Sequence, residues 1–163
     1  MKQKAIFSIL IFILALLEAS ILNSFKLLGV APNLLLISVV IAAVIFDLRW
    51  ALVFALLSGI LKDSLGAGSF GLNTLLFPLW AFLIIRLSRE IPLDSNILRT
   101  VLVFIVVILH NLLKKLIFFM LGASSVSIGM FIYISLMESI YTAAILPVLF
   151  KLIEHLIHPI IIE

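Results

Sequence analysis

Six polar or charged side chains interrupt the apolar segments of this sequence, and their types are those that could do chemistry. They are Glu18, His110, Asn111, Lys114, Lys115 and Glu138. A charge buried in a lipid bilayer costs at least ~2.5–3.5 kcal/mol, so each of these residues needs a partner or a function. His110 and Lys114 are four residues apart and share one helix face, as do Asn111 and Lys115. The spacing therefore predicts polar groups that meet between helices.

The depth of these residues favours one shared cluster. At a rise of ~1.5 Å per residue, Glu18 and His110 come out ~20 Å from the same end of their segments. Glu138 comes out ~20 Å from Lys151, the basic residue near that end of the sixth segment. Lys114 lies about one turn further along and is in reach of either carboxylate. We predict a Glu18–Lys114–Glu138 cluster that joins the first, fifth and sixth helices. It is either an internal salt bridge, with a lysine extending to the membrane surface, or a site for a ligand, a proton or a partner's helix.

The same residues do not match a catalytic pattern. The sequence has no H-E-x-x-H zinc motif, no G-x-S-x-G nucleophile elbow and no pair of aspartates at helical spacing. No serine or cysteine stands three or four residues from His110. The absence of cysteine also excludes thiolate metal sites and disulfides. We therefore expect a protein that is not an enzyme and that has no cofactor and no metal.

Composition identifies lipid as the solvent for these segments. Of 163 residues, 65% are hydrophobic and 12% are charged, whereas soluble domains have roughly 25% charged residues. A soluble domain of this size could not bury so much apolar surface. The net charge of +3 comes from basic residues scattered singly between apolar runs. That distribution is typical of membrane topology signals and excludes a nucleic-acid-binding patch.

Six apolar segments must position the polar residues. They cover about 5–22, 33–47, 50–65, 71–88, 97–121 and 130–155. We predict an all-α integral membrane protein with about six transmembrane helices in one compact bundle, and a single multi-pass domain over residues 1–163. The second and third segments are short for a bilayer ~30 Å thick, so they are packed inside the bundle, tilted, or thinning the bilayer.

Charge orients this bundle, because cytoplasmic loops of membrane proteins are enriched in lysine and arginine. With the amino terminus in the cytoplasm, the inner set is Lys2, Lys4, Arg49, Arg86, Arg89, Arg99 and Lys151, and the outer set is Lys26 and Lys62. The asymmetry predicts that both termini are cytoplasmic.

One stretch of the sequence carries a recognisable motif. It runs G-I-L-K-D-S-L-G-A-G-S-F-G-L-N and contains Gly59, Asp63, Gly66, Gly68, Gly71 and Asn73. The third helix also carries a stripe of small residues that includes Gly59, and such stripes let membrane helices pack closely. Asp63 at the end of this helix is placed to cap backbone N–H groups of the turn that follows. Upstream, Pro32 precedes Asn33 at a position where proline can open the second helix.

This motif resembles that of the MreD family of bacterial rod shape-determining membrane proteins. The likeness lies in a helix that ends in G-x-x-x-D, a glycine-containing turn and a G-L-N start to the next helix. Pro32 and Asn33 are similar to the Pro-Asp opening of the family's second helix, with asparagine in place of the usual aspartate. The length and the helix count fit across nearly the whole chain.

The resemblance implies a function in cell shape. It implies a non-enzymatic subunit of the rod complex in the bacterial cytoplasmic membrane, which binds MreC, a protein with a single membrane helix. Through MreC it would couple the MreB cytoskeleton to the SEDS glycosyltransferase and transpeptidase of sidewall peptidoglycan synthesis. It also implies a fold similar to the substrate-binding subunits of energy-coupling-factor vitamin transporters. A transport subunit of that kind is the alternative, and the residues that could line its pocket are Glu18, His110, Asn111, Lys114 and Glu138.

Overall fold

The fold is described here from a computed structural model that covers residues 2–24, 29–66, 71–93, 95–122 and 127–157. In these ranges the chain forms six α-helices. They are α1 (Lys2–Ser24), α2 (Leu34–Ile45), α3 (Leu48–Leu65), α4 (Leu72–Ser88), α5 (Asn96–Met120) and α6 (Ile128–Ile157). The all-helical prediction is confirmed, and each helix corresponds to one of the six apolar segments. Lys26 and Gly68 lie outside the described residues.

Three of the described helices are long and apolar enough to cross a membrane. They contain the stretches Lys2–Ser20, Asn96–Met120 and Ile128–Leu156. The shorter apolar helices α2 and α4 do not reach that length. The structure is therefore that of a helical bundle suited to a membrane, in which long helices accompany shorter ones.

Helix α2 lies at the centre of the bundle. Its sequence is apolar on every side except at Ser38, and residues 34–43 are all buried. A helix that is hydrophobic all round is stable only when it is surrounded by protein or lipid. Its 12 residues give a length of ~18 Å, well short of a bilayer. Burial, tilt and a thinned bilayer were the alternatives for this short segment, and in the structure α2 is buried inside the bundle. Its one polar side chain, Ser38, contacts Ser58 of α3, with 3.0 Å between their hydroxyl oxygens.

The start of α2 differs from the expectation for Pro32. The helix begins at Leu34, and Asn33 is its N-cap, with Oδ1 accepting a hydrogen bond from the backbone N–H of Leu36 at 3.2 Å. Pro32 therefore precedes the cap and is not in the first helical turn. An asparagine side chain can satisfy a free helical N–H, which proline cannot do, and this decides which residue sits at the cap.

Contacts along the helices show that neighbours alternate in direction. Phe7 near the start of α1 packs on Phe46 after the end of α2, with ring centroids 5.0 Å apart. Arg99 near the start of α5 stacks over Phe150 near the end of α6. The starts of α1, α3 and α5 and the ends of α2, α4 and α6 therefore lie at one end of the bundle. We call it the basic end, because every basic residue of the predicted inner set lies at or near it.

At the opposite end of the bundle, α5 and α6 form the α5–α6 extension, which we define as their turns beyond Asn111 and Glu138. Asn111 of α5 lies opposite Glu138 of α6, and both helices continue past this pair for about three turns. The surface of this extension is largely apolar and exposed. Its exposed residues include Leu112, Leu116, Phe119 and Met120 on α5 and Ile128, Met130 and Ile132 on α6. Such a surface requires lipid or a partner helix against it.

Candidate functional site

Five of the six polar residues of the sequence analysis, all except Lys115, meet in one layer near the end of the bundle opposite the basic end. This polar layer is formed by the ends of α1 and α3, the starts of α2 and α4, and the middle of α5 and α6. Its members are Glu18, Asn33, Lys62, Asp63, Asn73, Thr74, Trp80, His110, Asn111, Lys114, Ser135, Glu138 and Thr142.

The layer begins at the first turn of α4, which has no side-chain cap of its own. The preceding residue, Gly71, has a left-handed backbone with φ of 80°, a conformation that favours glycine. Asp63 of α3 takes the place of the cap. Its Oδ1 accepts hydrogen bonds from the backbone N–H of Asn73 at 3.1 Å and from Asn73 Nδ2 at 2.7 Å. Its Oδ2 accepts from the backbone N–H of Thr74 at 2.8 Å and from Thr74 Oγ1 at 2.6 Å.

Four donors and the positive end of a helix dipole therefore hold the Asp63 carboxylate. The sequence predicted that Asp63 caps backbone N–H groups of the turn between α3 and α4. The bonds are made instead to Asn73 and Thr74, which follow that turn. The physical reason is that the N–H groups of the first helical turn have no partner within their own helix.

Gly59 explains how α3 comes close enough for this cap to form. It lies one helical turn before Asp63, on the same face of α3. A Cβ atom at this position would be 2.6 Å from the backbone oxygen of Asn73 and 2.7 Å from the Cα atom of Thr74. Both atoms belong to the first turn of α4. The G-x-x-x-D spacing thus combines the close approach of two backbones with the carboxylate that joins them.

His110 connects α5 to the same group. Its ring is buried, with Nδ1 accepting a hydrogen bond from Trp80 Nε1 at 3.3 Å. Its Nε2 lies 3.1 Å from Asn73 Oδ1. An indole N–H can only donate, so Nδ1 has no proton, and Nε2 carries the proton that is donated to Asn73. Asn73 donates in turn to Asp63. One directed chain of hydrogen bonds therefore runs from Trp80 through His110 and Asn73 to Asp63.

Glu18 joins α1 to α2 and α3. Its side chain is only 1% exposed. One carboxylate oxygen accepts a hydrogen bond from the backbone N–H of Leu35 at 3.0 Å, in the first turn of α2. The other forms a salt bridge with Lys62 of α3. The predicted pairing of Glu18 with Lys114 is thus corrected to Lys62, because α3 lies beside α1 and brings its lysine to the same depth.

Glu138 joins α6 to α5 and α2. One of its oxygens accepts from Asn33 Nδ2 at 3.2 Å, and the other accepts from Asn111 Nδ2 at 2.8 Å. The backbone N–H of Asn33 also donates to Thr142 Oγ1, one turn further along α6, at 3.0 Å. Asn33 therefore does two things that require an amide: its oxygen caps α2, and its nitrogen donates to Glu138. An aspartate here would place a second negative charge against Glu138.

Lys114 and Ser135 are the two members of the layer that are left without a direct partner in the described part of the chain. Lys114 is half-buried and lies within electrostatic range of Lys62, Glu138, Asp63 and Glu18, but it forms no ion pair with any described carboxylate. The Ser135 hydroxyl is buried and has no hydrogen-bond partner among the described residues. The antiparallel register, with Asn111 opposite Glu138, places Lys114 at the level of Ser135. The neighbouring Lys115 faces α6, with Nζ 4.1 Å from the ring centre of Phe131.

The chemistry available to this layer is that of fastening helices. Both nitrogens of His110 are engaged, and the three carboxylates all accept hydrogen bonds from groups that also fix a helix end or a neighbouring helix. Within the described residues no group of three or more histidine, cysteine or acidic side chains is arranged to hold a metal ion. The positions with unused hydrogen-bonding capacity are Lys114 and Ser135.

Several contributors were not singled out from the sequence. Lys62 was assigned only to packing and topology, although its depth along α3 matches that of Glu18 along α1. Trp80 stands seven residues after Asn73, which puts both on one face of α4. No sequence pattern indicated Thr74, because its two hydrogen bonds to Asp63 depend on how closely α3 approaches α4.

Comparison with known proteins gives one result. The family model described as rod shape-determining protein MreD matches residues 1–157 of the 163-residue chain. No curated protein and no solved structure matches the chain.

Proposed function

The chain belongs to the MreD family of rod shape-determining proteins, and from this premise we propose that it is a non-enzymatic membrane subunit of the bacterial rod complex. In this proposal it binds an MreC-like protein through that protein's single membrane helix. It thereby couples the MreB cytoskeleton to the glycosyltransferase and transpeptidase that build sidewall peptidoglycan. Family membership supports the role in cell shape, and the family is one of structural membrane proteins.

The α5–α6 extension is the surface that favours a partner helix. Its exposed apolar residues cover both helices beyond the polar layer. Lys114 lies at the base of this surface with no ion pair among the described residues, and the buried Ser135 hydroxyl at the same level has no partner there either. Within the part of the chain that the structure describes, the Lys114 ammonium and the Ser135 hydroxyl lack a bonding partner beside an apolar surface. A partner's membrane helix with an acidic or amide side chain would supply one. We place the partner contact there.

The proposed orientation puts the basic end in the cytoplasm and both termini with it. The support is the collection of basic residues of α1, α3, α4, α5 and α6 at one end of the bundle, which matches the bias of cytoplasmic loops. The polar layer then lies toward the outer face of the cytoplasmic membrane. This is the side on which the partner's extracytoplasmic domain would stand.

The fold proposal is a bundle like that of the substrate-binding subunits of energy-coupling-factor transporters. The short buried α2 and a polar layer between the membrane helices suit that architecture. The likeness of fold does not require transport, because the carboxylates that would line a pocket are already bonded to helix starts and to side chains of neighbouring helices.

Co-purification from membranes tests the proposed partner. The tagged chain is extracted in mild detergent, and bound proteins are identified by mass spectrometry. The expected result is recovery of a single-span protein with an extracytoplasmic domain, reduced about tenfold by Lys114→Glu. Lys115→Glu is the matched control, since Lys115 faces Phe131, and it should retain the partner.

Thermal stability of each variant separates loss of binding from loss of folding. Recovery of a transporter ATPase or a bound vitamin in place of the single-span protein would overturn the proposal. If both variants recovered the same amount of the single-span protein, the partner contact would not involve Lys114.

A further inference from the structure

A cavity of about 310 Å³ lies at the basic end, between the start of α3 and the end of α4. Leu48, Phe82 and Ile85 give it an apolar wall, and Arg86, Arg89 and Glu90 give it a charged one. Along α4 the apolar residues precede the charged ones by up to two turns. The cavity is therefore apolar toward the middle of the bundle and charged toward the end of α4.

The two arginines are available to a ligand. Both side chains are exposed, and neither forms an ion pair or a hydrogen bond with any described residue. With Glu90 the charged wall has a net charge of +1. A guanidinium group binds phosphate through two parallel N–H···O bonds. Arg86 lies in the last turn of α4 and Arg89 is its C-cap with a helical backbone, so the two are spaced closely enough to bind one phosphate group.

The level of the cavity along the bundle matches the surface of a membrane. Trp50 lies two residues after Leu48 in α3 and is partly exposed. Lys4 of α1 stacks on its ring, with Nζ 4.0 Å from the ring centre. Tryptophan is enriched where the hydrocarbon core meets the lipid headgroups, and lysine beside it reaches the headgroups. In a bilayer positioned by Trp50 and Lys4, the arginines of the cavity would lie at headgroup level, and Phe82 and Ile85 would lie at the level of the first acyl carbons.

We propose that this cavity binds an anionic phospholipid. The phosphate is held by Arg86 and Arg89, and the acyl chains lie against Leu48, Phe82 and Ile85. Basic pockets between membrane helices are the usual way in which proteins select anionic headgroups. The proposal is independent of the partner contact, since the cavity lies at the opposite end of the bundle from Lys114.

Native mass spectrometry of the purified chain tests this directly. The protein in detergent is titrated with phosphatidylglycerol and, in parallel, with phosphatidylcholine, and bound lipid is counted. We expect one phosphatidylglycerol to bind at least tenfold more tightly than phosphatidylcholine. The double variant Arg86→Gln/Arg89→Gln should lose this preference. Arg49→Gln is the matched control, because Arg49 is exposed at the same end but does not line the cavity.

Three results would overturn the proposal. They are equal binding of the two lipids, unchanged phosphatidylglycerol binding in the double variant, and an equal loss in Arg49→Gln. If the double variant kept its lipid but lost co-purifying protein, the cavity would be a protein contact and the lipid proposal would fail. A thermal melt of each variant confirms that the protein counted is folded.

Discussion

Replacing Gly59 with alanine perturbs a close approach between the backbones of α3 and α4. The new Cβ would lie 2.6 Å from the backbone oxygen of Asn73 and 2.7 Å from the Cα atom of Thr74. Both neighbours are backbone atoms of α4, so no side chain can rotate away to make room. The start of α4 must move by about 0.8 Å for the shorter contact to reach ordinary van der Waals distance.

That movement would also break the Asp63 cap. The bond from the Thr74 N–H is 2.8 Å, and a shift of this size would stretch it to about 3.6 Å, beyond hydrogen-bond range. Forcing a methyl group into a packed interior costs about 1–3 kcal/mol, and weakening a hydrogen bond to a charged group adds about 1.5 kcal/mol or more. Alanine regains about 0.5–1 kcal/mol through its helix propensity. The net expected loss is about 1.5–4 kcal/mol in the free energy of unfolding.

Thermal unfolding of the purified protein in detergent measures this loss. For a chain of this size about 2–4 °C is expected per kcal/mol, so Gly59→Ala should lower Tm by roughly 3–16 °C. Gly129→Ala is the matched control, because it also places alanine in a helix but has no atom within 4 Å of the new Cβ. The control should be neutral or slightly stabilising. If Gly59→Ala were as stable as Gly129→Ala, the reasoning about the α3–α4 contact would be refuted.

Three further predictions concern the polar layer. Asn33→Asp places two carboxylates together and should destabilise the protein by about 2 kcal/mol. Glu138→Gln in the same chain should restore part of the loss, and a chemical denaturation series that showed no restoration would contradict the paired role of Asn33 and Glu138. Lys62→Met leaves Glu18 buried without its cation and should cost about 3 kcal/mol, whereas Glu18→Gln with Lys62→Met should cost less. Simple additivity of the two changes would argue against the salt bridge. The ¹⁵N chemical shifts of labelled His110 at neutral pH should identify a neutral ring with the proton on Nε2, and a proton on Nδ1 would reverse the direction of the chain from Trp80 to Asp63.

Much of the fold followed from the sequence, because hydrophobic length and charge distribution act locally. The six segments were found from apolar runs, and the basic residues at one end were found from their spacing between those runs. The position of α2 was left open, since an apolar helix of 12 residues is compatible with burial, tilt or a thinned bilayer. Packing decided it: α2 is surrounded on all sides, and its start is held by Asn33 and by Glu18.

The polar layer was predicted in part. Residue counts along the segments predicted that Glu18, His110 and Glu138 lie at one depth, and in the structure all three belong to the polar layer. Which groups pair within the level depends on the lateral order of the helices, which a single sequence does not contain. The structure pairs Glu18 with Lys62, whereas the sequence predicted Lys114. Trp80 belongs to the layer because it donates a hydrogen bond to His110, and the sequence did not indicate this contact. Asp63 was recognised as a cap, but its partners moved from the turn to the first turn of α4, where unpaired N–H groups are found.

The role in cell shape is tested most directly by depleting the chain in the cells that carry it and measuring cell width and length by microscopy. Depleted cells are expected to widen and become round. The wild-type chain and the Lys115→Glu variant should restore rods of normal width, whereas Lys114→Glu, present in membranes at the same level, should not. Cells that kept their rod shape and width after depletion would contradict the account. Full restoration by Lys114→Glu would contradict the partner contact proposed on the α5–α6 extension.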